Sequence, residues 1–138
     1  MKPRALRLSI VTTLILCFAS TGCAENESSF CQSAREFQTA VSQIEAEELV
    51  DALGPEFWQE LDSLLSEIAA SDSGEVGTLA AQLQVELRQF IARLEAVEYN
   101  LVAAALDPAL ASLFVDLVND LLDYSTAEIG LVVDEQCR

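Results

Sequence analysis

The side chains in this sequence that could do chemistry are carboxylates and thiols. Asp and Glu number 23 against seven Lys and Arg, and His is absent. Without His there is no Ser-His-Asp triad, no Cys-His pair and no imidazole metal ligand, so a Ser or Cys nucleophile would lack its usual base. Acids gather in two places. Glu45, Glu47, Glu48 and Asp51 lie close in sequence, and Asp116, Asp120 and Asp123 recur at i, i+4 and i+7, a spacing that shares one helix face. Such a row could hold a divalent cation. However, inward-facing metal sites of helix bundles pair Glu with His three residues on, and no Asp-x-Asp-x-Asp-Gly calcium loop occurs. Two carboxylates could also act as acid and base in glycoside cleavage, but chance pairs are expected among so many acids. The expected role of both clusters is a solvated acidic face. Only five Gly are present and none forms a phosphate-cradling loop. The expectation is no catalytic residue, no cofactor and no metal. The negative balance also argues against nucleic acid, whose affinity comes from Lys and Arg neutralising phosphates.

The thiols are more informative. Lys2, Arg4 and Arg7 precede an apolar run of 12 residues, Leu8 to Ala19. That is shorter than the ~20 residues of a spanning helix and fits a signal-peptide core. Ser20-Thr21-Gly22-Cys23 follows, small residues directly before a Cys, as in a bacterial lipobox. Cutting there would remove residues 1–22 and leave Cys23 to carry acyl chains, and two or three chains hold a protein on a membrane where one holds it marginally. Ser20 stands where a lipobox usually has Leu. The alternative is plain secretion, with cleavage after Ala19 or Ala24. Residues 23–28 then read as a lipidated Cys and short tether, which includes the sequon-like Asn26-Glu27-Ser28.

Export into an oxidising compartment leaves Cys31 and Cys137 with one possible connectivity, since Cys17 departs with the signal peptide. Their disulfide would close nearly the whole domain into a loop, a contribution of about 4–5 kcal/mol on the chain-entropy model. Two unpaired thiols, or pairing of an unlipidated Cys23, are the alternatives.

The elements that position these groups are helical. Over 29–138, read as a single domain, apolar residues recur at steps of three and four. Ser29 with Gln32 reads as a capping box opening a helix to about Leu53, with Phe30, Ala34, Phe37, Val41 and Ile44 on one face. Gly54-Pro55 separates it from a second helix over 55–70, with Phe57, Trp58, Leu61, Leu64, Leu65 and Ile68 inward. After the Ser71–Gly74 loop a third helix runs from Glu75 to about Leu106, with Leu79, Leu83, Leu87, Phe90, Leu94, Val97 and Leu101 in a stripe and Ile91 and Val102 beside it. Asp107-Pro108 caps and starts a fourth, which carries Leu110, Leu113, Phe114, Leu117, Val118, Leu121 and Tyr124. It breaks or bends near Ser125-Thr126 or Gly130 before Ile129, Val132 and Val133 continue the stripe.

Short connections favour an all-α, up-down-up-down four-helix bundle. The disulfide supports it by parity. Helices of 25–30 residues are roughly 40 Å long, so only an even number of antiparallel helices returns Cys137 to Cys31. The aromatic residues Phe57, Trp58, Phe90, Tyr99, Phe114 and Tyr124 are expected in the core, with both Tyr hydroxyls at the surface. Alternatively they line a pocket for an apolar ligand.

The lipobox, Phe30-Cys31, Asp107-Pro108 and Cys137 together resemble small acidic helical lipoproteins of high-GC bacteria, particularly actinobacteria. Beyond the leader no Lys occurs, which fits a GC-rich source. The resemblance implies location and architecture without an activity. The combined expectation is a lipid-anchored module on the extracytoplasmic face of a bacterial membrane, non-catalytic, binding an envelope protein. A carrier of a small apolar ligand and a passive spacer are the alternatives. With residues 1–22 removed, four Arg face 23 acids, a net −19. Such self-repulsion disfavours compactness and gives the disulfide a purpose.

Overall fold

The computed structural model describes residues 28–44 and 53–138. Among them every regular element is helical. Helix α1, Ser29–Ile44, buries Cys31, Ser33, Ala34, Phe37, Ala40 and Val41. Its first turn corrects the expected capping box. Ser28, one residue earlier, accepts from the Cys31 N–H at 3.3 Å. The Gln32 amide donates instead to Glu36 one turn on, at 3.0 Å. A helix that already includes Ser29 leaves the cap position to its predecessor. Leu53, where that first helix was expected to end, is buried and not helical. Residues 45–52, with Glu45, Glu47, Glu48 and Asp51, lie outside the described residues.

Helix α2, Pro55–Ser71, buries Phe57, Trp58, Leu61, Leu64, Leu65 and Ile68, the six residues expected. Gly54 holds the N-cap position and Pro55 opens the helix, where its missing N–H leaves nothing unsatisfied. The Trp58 indole donates to the Leu53 carbonyl at 3.1 Å within the core, which ties the chain before the helix to its first turn.

The loop to α3, Glu75–Ala96, is organised by Asp72. Its backbone N–H closes α2 on the Ile68 carbonyl, and its carboxylate accepts from the Gly77 N–H at 2.8 Å. The approach is so close that a Cβ on Gly77 would stand 1.8 Å from the Asp72 carbonyl oxygen. Only glycine fits there.

The third expected helix does not reach Leu106. It stops at Ala96, and Glu98 and Tyr99 take left-handed φ of 54° and 57°. The Tyr99 N–H donates back to Leu94 at 2.8 Å and that of Glu98 to Glu95 at 3.0 Å, which satisfies carbonyls the helix end leaves open. Asn100 then caps a new helix, α4, Leu101–Leu106, accepting from Val102 and Ala103 at 3.1 Å each. Val102, expected beside the stripe, is 67% exposed because the break rotates it away from the core.

Asp107 caps α5, Pro108–Asp123, accepting from Ala109 and Leu110 at 3.0 and 3.3 Å. The expected irregularity near Ser125 is a π-helical turn over Tyr124–Ile129, followed by α6, Gly130–Gln136. The wider turn inserts a residue. It lets Tyr124 and Ile129 both point inward, 4% and 0% exposed, and offers the Ser125 carbonyl to the Gln38 side chain on α1 at 3.2 Å.

Helix α1 packs on α2, α2 on α3, α3 on α5, and the α5–π–α6 rod back on α1. The core between them includes Phe37, Trp58, Leu61, Leu65, Leu87, Phe90, Leu94, Leu117 and Leu121, each under 2% exposed. Full burial of one such Leu or Phe contributes about 1.5–3 kcal/mol.

Candidate functional site

The expected lipid attachment residue, Cys23, lies outside the described residues, as do the rest of the leader and the tether to position 27. The chain it would anchor begins at a covalent junction. Cys31 and Cys137 form a disulfide, with Cα atoms 5.5 Å apart and a sequence separation of 106. Cys31 is on the first turn of α1 and Cys137 is the C-cap of α6. Both are buried, 4% and 6% exposed. The Arg35 guanidinium donates to the Cys137 carbonyl, so a cation closes the C-terminal end of a helix, where carbonyl dipoles favour positive charge. Two residues after Cys31, Ser33 donates to Glu67 near the end of α2 at 2.7 Å. The disulfide end is thus sealed by one covalent bond and two polar contacts.

The carboxylates of α5 behave as the spacing suggested. Asp116, Asp120 and Asp123 are all exposed. Glu86 of α3 faces Asp120 across a surface groove that Leu83, Asp123, Tyr124 and Glu128 also line. Partial burial, and then the Asp120 charge and a hydrogen bond with it, raise the Glu86 carboxyl above its ordinary pKa. Two acids sharing such a groove disfavour simultaneous ionisation. Among the described residues, no group of three or more His, Cys, Asp or Glu is arranged to hold a metal ion.

The aromatic rings spend their faces on one another. Trp58 meets Phe57 and Phe90 edge-on at 5.0 Å and Phe114 at 6.4 Å, and Phe37 meets Tyr124 at 5.6 Å. The expectation that both tyrosine hydroxyls reach water is corrected. Tyr124 is buried and donates to the Val76 carbonyl of α3 at 2.7 Å. Burial, with Asp72 and Glu128 nearby, pushes its phenol well above the ordinary range. The Tyr99 hydroxyl is buried beside the Glu95 carboxylate, and burial, then that charge and a hydrogen bond with it, raise its phenol above the ordinary value. The Tyr99 ring, partly buried, packs against the core.

Sequence reasoning passed over the α3–α5 corner. There α4, Leu-Val-Ala-Ala-Ala-Leu, leaves Val102 67% and Leu106 79% exposed. The signal was present as six uncharged apolar residues between two good caps, Asn100 and Asp107, but a continuous helix absorbed it into the core stripe. Among the described residues, no helix is long and apolar enough to cross a membrane. No protein-family model matches this chain, and neither a curated protein nor a solved structure is similar to it.

Proposed function

We propose that this chain is a lipid-anchored binding module of the bacterial envelope, held at Cys23 on the extracytoplasmic face of the membrane and devoid of catalysis. Residues 1–22 are its leader, 23–28 its tether and 29–138 its single domain. The domain is an up-down-up-down bundle with its disulfide end toward the lipid. The observation that carries the reading is the Cys31–Cys137 disulfide. Such bonds persist in oxidising compartments, and Cys31 stands eight residues after Cys23. The bundle topology draws support from contacts between helix ends: Ser33 early on α1 with Glu67 late on α2, and Val76 early on α3 with Tyr124 after α5.

Fractionation and intact mass of the mature chain test the reading. The expected result is membrane association, a mass showing acylated Cys23 as the first residue, and no free thiol without reductant. Cys23→Ser should release the protein or stall its processing. Recovery of a chain with an intact, unacylated Cys23 from the culture fluid would overturn the anchor. Apolar molecules co-purifying in stoichiometric amount would favour a carrier.

A further inference from the structure

Between Leu94 and Cys137 the sequence contains no Lys or Arg. Near its start lie the two most exposed large apolar side chains among the described residues. Val102 and Leu106 are one turn apart on α4, 67% and 79% exposed, and residues at i and i+4 share a helix face. Ala105, Pro108 and Ala109 beside them are exposed as well. Other exposed large apolar residues, Val85, Val115 and Leu131, lie apart on three different helices, as single surface apolar residues commonly do. Contiguous exposed apolar residues rimmed by charge mark interaction surfaces.

The charges flanking this patch along the chain are Glu95, Glu98 and Asp107. The same corner holds the left-handed pair Glu98 and Tyr99. Backbone held in sparsely populated regions clusters at sites of function.

We propose that the α4 corner is the docking surface of the binding module and that its partner is a protein with an apolar centre and a basic rim. This rests on the reading of the chain as an interaction module. The occupant follows from charge. With the leader removed, a second copy would bring four Arg and 23 acids, a net −19, against another −19, with acids facing acids around the patch. An anionic membrane surface is repelled for the same reason. A Lys- or Arg-rimmed protein surface complements both the acidic rim and the apolar centre, and such complementarity sets partner choice and association rate.

A photo-crosslinking residue placed at Val102, at Leu106 or at Leu131 in the full chain, in the cell that makes it, tests the proposal. Leu131 is 64% exposed, nearly as much as Val102, and lies on α6. The expected result is one protein adduct from positions 102 and 106 and none from 131. The crosslinked peptide should carry net positive charge. Leu106→Asp should cut the yield from position 102 at least tenfold while the disulfide and helix content stay unchanged. The proposal is overturned by a dimer of this chain, by a lipid adduct, by an acidic crosslinked peptide, or by the same adduct from position 131. Adducts from 131 with none from α4 would sink the surface and leave the interaction module standing. No adduct from any position would sink both.

Discussion

At the scale of single residues, two side chains hold the α3–α5 seam in different ways. Tyr124 makes one buried hydrogen bond, to the Val76 carbonyl. Tyr124→Phe keeps the ring against Phe37 and removes that bond, while the Val76 carbonyl keeps its place in the α3 turn, so thermal or urea unfolding should show a loss of about 1 kcal/mol. Glu86 acts in the opposite sense. Its carboxyl is raised in the fold, so its protonated form is the one the fold prefers. The stability it lends is complete below the ordinary carboxyl pKa and is lost as pH rises through the raised value. Glu86→Gln should therefore stabilise the protein at neutral pH, by no more than about 0.5 kcal/mol at so exposed a site. The gain should fade as a pH series of melts descends toward pH 4. If the variant's advantage grew toward acid pH, the Glu86–Asp120 repulsion would not be its source.

The individual helices show what was legible in the sequence and what was not. Apolar spacing located α2 and each of its six buried residues, and Asp107-Pro108 marked the start of α5, because both signals are local. The break after Ala96 was not legible. It carries no Gly or Pro, and its left-handed residues are Glu98 and Tyr99, types that rarely take that conformation. The apolar period also runs on through Val97 and Leu101, so the stripe looks continuous where the backbone is not. Asn100 was the available sign, as an N-cap residue standing before an uncharged run. The strain at this corner can be measured. Glu98→Gly removes the Cβ cost of a positive φ at an exposed position, and equilibrium unfolding should show a gain of up to about 1 kcal/mol. A loss would mean that the Glu98 side chain holds the corner in some other way. Of the candidate site, the disulfide was readable from cysteine counting. The α4 patch was not, because exposure depends on a break that periodicity conceals.

For the molecule as a whole, the balance lies between self-repulsion and closure. A net charge of −16 opposes compaction, and salt screens charges that lie more than about 10 Å apart at 0.1 M. The melting temperature should rise with sodium chloride. The disulfide spans a separation of 106 residues. Its removal, by reductant or by Cys31→Ser with Cys137→Ser, should cost about 2–5 kcal/mol in denaturant titrations. The deficit should be largest at low salt, where the acids repel most. Equal stability of the reduced and oxidised proteins would assign the compactness to the apolar core alone.

Because the bond joins the first turn of α1 to the cap of α6, the folded unit is a covalent ring. A ring offers no terminus from which helices can be peeled in sequence, so a protease or unfoldase that advances from a chain end meets the crosslink before it meets the core. One cut in the loop around Asp72 would open the ring without shedding a fragment. The two pieces would part on a gel only after reduction.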